Sequence, residues 1–345
     1  MGKKSKSSSK TVYPFVSVCT PTFNRRPFYP MIIQCFKNQD YPKDRIEWII
    51  VDDGTDKIHD LIQDIPQVKY FSYEKKMSLG QKRNLMHDKC SGEIIIYMDD
   101  DDYYPDDRIS HAVETLQNNP PALCAGSSEM YIYFKHIEKM YKCGPYGSSH
   151  STAATFAFRK ELLKQTRYDD EAELAEEKSF LKNYTIPFVQ LNSLKSILVF
   201  SHNHNSFDKK MLLNQPSNPF VQESTVKVTD FIKDEKMLKF FLKDIDEILE
   251  NYSPGKPENK PNVLKQIEEI KQKKEEITLI HQLQQSISVY EQRLAQITHE
   301  NIKLTENNEY LQKKITGLIQ EKISFLKEQK EKEEKQGENS RDPSL

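Results

Sequence analysis

The stretch Gly92-Glu93-Ile94-Ile95-Ile96-Tyr97-Met98-Asp99-Asp100-Asp101-Asp102-Tyr103-Tyr104-Pro105 constrains this chain more than any other. An apolar strand runs directly into four consecutive aspartates. Adjacent carboxylates repel one another and are costly to desolvate unless a cation compensates them. A solvated acidic turn would need only water. The apolar run in front of it instead carries the aspartates to the edge of a core. Acceptor-only oxygens at a strand end suit a hard divalent ion such as Mg²⁺ or Mn²⁺.

Two earlier strand ends are polar in the same way, Trp48-Ile49-Ile50-Val51-Asp52-Asp53-Gly54-Thr55 and Val18-Cys19-Thr20-Pro21-Thr22-Phe23-Asn24-Arg25. Short apolar, β-branched runs at residues 15–20, 46–52, 68–73 and 94–99 alternate with amphipathic stretches at 28–37, 58–65 and 80–90. That alternation predicts βαβ units and an α/β fold with a Rossmann-like, mostly parallel sheet flanked by helices. In such sheets ligands collect at the carboxyl ends of strands, so the three polar ends are expected to converge on one crevice. A helix is expected near 106–118, a strand pair across 128–143, a further strand within 194–200 and closing helices over 226–252.

Beyond a Pro-rich linker at 253–262 the character changes. Residues 263–335 hold Lys 12, Arg 1 and Glu 13, with no Asp, Pro, Cys or Trp. Every seventh position reads Ile280, Ile287, Leu294, Asn301, Asn308, Ile315, Lys322, and three residues later Leu283, Tyr290, Ile297, Leu304, Leu311, Leu318, Phe325. This is an a/d heptad pattern; Ile-rich a with Leu-rich d favours a parallel dimeric coiled coil, with buried Asn fixing its register. Upstream apolar positions keep a shifted frame, which predicts a stammer near Ile277. The expected divisions are a basic disordered tail (1–12), a catalytic domain (13–252), the linker, the coiled coil (263–335) and a disordered tail (336–345).

Composition narrows the functional classes. Lys+Arg 50 against Asp+Glu 52 gives a net charge of −2, with no bulk electrostatic reason to expect a nucleic-acid partner. Five cysteines with no CxxC spacing argue against a disulfide framework or a Cys-based zinc site, and favour a reducing, cytoplasmic location. No apolar run reaches membrane-spanning length. The Met1–Lys6 start is basic and lacks a secretory pattern, which leaves a weak hold on a membrane face as its functional reading.

VSVCTPTFNR, VDDGTD, the Gly80-Gln81-Lys82-Arg83-Asn84 segment and GEIIIYMDDDDYYP, in that order, resemble a family 2 glycosyltransferase of the GT-A fold. The resemblance runs over about residues 16–207. It implies a nucleotide-sugar donor, most often UDP-linked, a Mn²⁺ or Mg²⁺ ion, and inverting transfer to a hydroxyl on a glycan, protein or small-molecule acceptor. Asp99, Asp100 and Asp101 then form the DxD-like segment, in which Asp101 binds the metal, Asp99 faces the ribose and metal, and Asp100 supports the nucleotide.

The resemblance also sets Asp53, with Asp52 as second choice, against the base, and Pro21, Thr22, Asn24 and Arg25 around the nucleotide. Lys82, Arg83 and Asn84 match the segment that meets ribose or phosphate; a surface salt bridge is the alternative for Arg83. The general base is an acidic residue opening a late helix, which here gives Glu177 as base and Glu176 as an orienting carboxylate. His202, with Asn205 and Ser206, matches a late His-x-x-Asn-Ser segment that completes the metal shell or meets the diphosphate. His204 is a lesser candidate there. Two other readings compete. A nucleotidyltransferase would need a Gly-rich basic triphosphate loop, which TPTFNRR does not supply. An inactive, transferase-like scaffold would act through its coiled coil with a second copy of the chain.

Overall fold

The computed structural model describes residues 13–174, 177–213 and 218–338. It divides into two units, Met1–Glu269 and Ile270–Leu345. The expected tail at 1–12 and the last residues, 339–345, lie outside the described residues.

In the first unit, eleven strands follow in order: β1 (Val16–Thr22), β2 (Ile46–Asp52), β3 (Val68–Ser72), β4 (Ile94–Tyr97), β5 (Cys124–Gly126), β6 (Met130–Phe134), β7 (Lys139–Cys143), β8 (Ala157–Arg159), β9 (Phe188–Gln190), β10 (Leu198–Ser201) and β11 (Val221–Glu223). Seven of them form one sheet in the order β3-β2-β1-β4-β8-β5-β9, and four form a second in the order β10-β6-β7-β11. β1 pairs in parallel with β2 and β4, and β2 with β3. β5 pairs in parallel with β9, while β8 runs antiparallel to both β4 and β5, so the sheet is mixed, with most of its pairings parallel as expected. The four parallel strands were legible as apolar runs because the central ones are covered on both faces; every residue of β2 is buried.

Helices Tyr29–Asn38, Leu79–Lys89 and Arg108–Asn118 occupy the expected stretches, while 58–65 yields only the single turn His59–Ile62. Two apolar cores lie on the sheet's faces. One contains Trp48, stacked on Phe36 at 4.4 Å, and the other contains Phe156, Phe158 and Phe180. The expected strand pair is the antiparallel β6–β7 hairpin.

The stretch expected as a linker is packed against the first unit instead. The Asn24 amide donates to the Pro254 carbonyl at 3.0 Å, and the Tyr252 hydroxyl donates to Asp56 at 2.8 Å. A Cβ at Gly255 would stand 2.7 Å from the Asn24 carbonyl oxygen, so only glycine permits that approach. A helix then runs unbroken from Pro261 to Glu338, through the expected stammer and past the expected end at 335. Within the second unit the heptad positions are solvent-exposed, among them Ile287 at 56% and Leu294 at 65%. No described helix is long and apolar enough to cross a membrane.

His87, on helix Leu79–Lys89, is buried among Tyr97, Phe158, Tyr168 and Phe180, with Nε2 2.6 Å from the Tyr97 hydroxyl. Burial, with Arg83 and Arg167 nearby, pushes its pKa down to about 3. The unfolded chain protonates this histidine below about pH 6.5, whereas the folded chain does not until far lower pH. The unfolded state therefore binds more protons as pH falls, and stability drops. Urea denaturation should show the wild type losing about 2 kcal/mol more than His87→Phe between pH 7 and pH 5. Equal losses would remove His87 as the cause.

Candidate active site

From β1 the chain proceeds to β2 and β3 on one side, then returns to β4 on the other side of β1. The connections after β1 and β4 thus leave the sheet in opposite directions and open a crevice at the strands' carboxyl ends. A cavity of about 180 Å³ sits there. Pro21, Thr22, Phe23 and Arg25 line it from the end of β1, and Asp99, Asp100 and Asp101 from the end of β4. Lys76, Lys82 and Arg83 close a third side, and Glu173, Ser206, Lys260 and Val263 complete it. Its volume is below the ~300–1,000 Å³ usual for small-molecule sites, so a nucleotide-sized ligand requires the rim to part. The Lys76–Glu173 ion pair, at 3.6 Å, belongs to that rim.

Arg25 compensates the acidic run. Its Nε lies 3.7 Å from Asp100 Oδ1 and its Nη2 3.3 Å from Asp101 Oδ2. The same Nη2 donates to the His204 carbonyl at 2.8 Å, which fixes the guanidinium between the two loops. Burial pushes Asp101 up, but Arg25 and His202 outweigh it and hold the carboxyl below the usual carboxylate range. Asp100 moves the other way: burial raises it and Asp101 adds to this, against Arg25. One carboxylate stays charged and its neighbour is the proton acceptor of the pair. Asp102 does not reach the cavity; it accepts from Phe200 N–H at 3.2 Å and ties the run to β10. The Asp99 N–H donates to the Tyr104 hydroxyl at 2.6 Å.

Several expected ligand residues brace loops instead. Asp52 accepts from Gly54 N–H at 2.9 Å and from the Tyr70 hydroxyl at 2.7 Å, and it does not line the cavity. Asn24, at φ 53°, accepts from the N–H groups of Thr55 and Asp56 at 2.7 and 2.9 Å. Asn84 donates to the Tyr168 carbonyl at 2.9 Å and to Asp170 at 2.6 Å, and so fixes the 168–170 turn. Asp53 is buried behind Lys82, with which it forms an ion pair, and accepts from Met77 N–H at 2.7 Å. Lys82 also donates to the Thr22 carbonyl at 3.0 Å. Arg83 is buried, with its guanidinium 4.9 and 5.3 Å from the ring centroids of Tyr97 and Tyr168.

The acidic helix start is split. Glu176 lies outside the described residues. Glu177 opens the short helix Glu177–Phe180 and accepts from Ala153 N–H at 3.2 Å; it is not among the cavity-lining residues, whereas Glu173 is. Sequence reasoning passed over Phe23, Lys76, Glu173 and Lys260. Lys260 lies in a Pro- and Lys-rich stretch whose pattern reads as a linker, so nothing local marked it.

His202 is buried 3.5 Å from Asp101 Oδ2. His204 N–H donates to Nδ1 at 3.2 Å, which leaves Nε2, 2.9 Å from Asn205 Nδ2, as the nitrogen that bears the proton and faces Asp101. Burial pushes its pKa down to about 3. The ring is therefore neutral, the form that ligates metals. Two ligands each ~2.1 Å from one ion stand roughly 3.0–3.4 Å apart, slightly closer than the 3.5 Å between Asp101 and His202. Among the described residues no three His, Cys, Asp or Glu side chains gather to hold one by themselves.

Residues 17–169 match the family model described as Glycosyl transferase family 2. Over those residues the chain is similar to that family, and the sheet flanked by helices is an α/β fold. It is 36% identical over 110 residues to GalNAc(5)-diNAcBac-PP-undecaprenol beta-1,3-glucosyltransferase of Campylobacter jejuni, covering 30% of this chain and 33% of that protein. It is 26% identical over 116 residues to poly(ribitol-phosphate) beta-N-acetylglucosaminyltransferase TarS of Staphylococcus aureus, covering 30% of this chain and 19% of that one. The chain thus spans a third or less of the length of these two relatives. The structure of S. aureus TarS 1–349 in complex with UDP-GlcNAc aligns with TM-score 0.44 and 21% identity, over 54% of this chain and 58% of that one.

Replacing Arg25 by Met leaves two buried carboxylates without their cation. Removing one partner of a buried ion pair typically costs about 3–5 kcal/mol. Urea denaturation at pH 7 should show Arg25→Met destabilised on that scale, and the difference should shrink at low pH as the carboxyls protonate. An undiminished difference at low pH would point to lost packing instead.

Proposed function

We propose that the protein is a metal-dependent, inverting glycosyltransferase that moves a sugar from a UDP-linked donor to an acceptor hydroxyl. The convergence of the β1 end, the acidic run after β4 and a ring of cations on one cavity carries this reading. Pro21 and Thr22 border the nucleotide, with Asp53 behind Lys82 setting the charge near the base. Asp99 faces the ribose. Asp101 and His202, with oxygens of the donor diphosphate, would hold Mg²⁺ or Mn²⁺, which supplies positive charge to the departing nucleoside diphosphate. Arg25 holds the aspartates in place while that charge develops.

Inversion requires a base on the far side of the sugar to take the acceptor proton. The proposed base is Glu177, with Glu176 orienting the acceptor. The exposed heptad rows fit a parallel dimer of the second unit, because such a stripe is unfavourable on a lone helix in water.

Purified protein with Mn²⁺ should slowly hydrolyse one UDP-sugar from a panel, and Asp101→Asn should abolish that turnover. No binding or turnover with any nucleotide sugar would sink the reading. Glu177→Gln should lower transfer ~10²–10⁴-fold with UDP affinity unchanged; full retention would move the base to Glu173. In light scattering the full chain should be a dimer and a chain ending at Glu269 a monomer. A dimeric truncation would place the main interface elsewhere.

A further inference from the structure

The cations around the cavity are not equivalent. Arg25 holds Asp100 and Asp101, Lys76 holds Glu173, and Lys82 holds Asp53. Arg83 lies between two tyrosine rings. Lys260 is buried at 8% exposure and, among the described residues, forms no ion pair; its Nζ donates to Ser206 Oγ at 2.8 Å. A buried ammonium held by one neutral hydroxyl is expensive for a fold to maintain. Burial, reinforced by Arg25 and only partly offset by Asp100 and Asp101, pulls its pKa down to about 7.

A second observation concerns Phe23. The Nζ atoms of Lys76, Lys82 and Lys260 lie 5.5, 5.9 and 5.8 Å from its ring centroid. The ring face attracts each ammonium modestly, but three like charges around one ring repel one another. Such a cluster is relieved by an anion bearing more than one negative charge. The cavity wall formed by Asp99–Asp101 repels a lone anion, so the fitting ligand is one that brings its own counter-cation or spreads its charge over two phosphates.

We propose that Lys260 is a diphosphate-binding residue of the donor pocket, supplied by the C-terminal segment rather than by the matched domain. It rests on the donor reading above. The ammonium meets the diphosphate oxygens, Ser206 aims it, and Lys76 and Lys82 flank it across Phe23. The strap that delivers it is fixed by the Asn24–Pro254 and Tyr252–Asp56 hydrogen bonds. An incoming diphosphate therefore finds the lysine already positioned rather than on a mobile strap.

Calorimetric titration of the full chain with UDP, inorganic pyrophosphate and uridine tests this, first without and then with Mn²⁺. Lys260→Met should weaken UDP and pyrophosphate about ten- to hundredfold, as expected for one charge-assisted hydrogen bond, and leave uridine within twofold. Lys260→Arg should recover most of the loss. Ser206→Ala should give a smaller loss of the same pattern. Unchanged UDP affinity in a folded Lys260→Met, or an equal loss for uridine, overturns the assignment alone. Failure of the wild type to bind UDP, pyrophosphate and uridine overturns the donor reading with it. Should Lys260→Met not fold, Lys260→Gln replaces it under the same criteria.

Discussion

The buried contact of Arg25 with Asp100 and Asp101 is the constraint on which this architecture depends. A chain that places four carboxylates at the mouth of a core strand must supply positive charge from elsewhere in the fold. It does so from the end of the neighbouring strand, through a guanidinium whose position is set by the His204 carbonyl. Three loops distant in sequence are thereby locked at one point: 21–25, 99–102 and 202–206. The order of β1 beside β4 is what makes that meeting possible. Where charge must be matched across loops, backbone geometry and electrostatics cease to be separable.

Legibility in the sequence followed burial. β1, β2 and β4 are continuous apolar runs, so their extent and order could be read within a residue or two. β5, β8, β9 and β11 are three residues each and carry no period to detect. β8 is the strand that makes the main sheet mixed, and an antiparallel insertion of that length leaves no trace in hydropathy. The acidic run was conspicuous, but its internal division was not. Asp101 faces the cavity while Asp102 accepts a backbone amide, a difference set by where β10 passes.

Three of the expected site residues are of ambiguous type. Asn24, Asp52 and Asn84 are types that bind ligands and equally types that satisfy buried backbone amides in sharp loops. Only the fold decides between these uses, and here it assigns them to bracing. Lys260 shows the reverse: proline, glycine and lysine in sequence suggest a solvated connector, yet Gly255 permits the close approach that seats it.

That seating bears on how the site comes into being during synthesis. The ribosome releases Arg25 and the aspartates early, and all eleven strands precede Tyr252. The ammonium that faces them arrives only with the final wall of the first unit. A nascent chain can thus complete its sheet and neutralise its acidic run while its pocket still lacks one side. Maturation of the cavity is deferred until translation has passed the strap, so a prematurely terminated product would retain a folded sheet with an open-sided pocket.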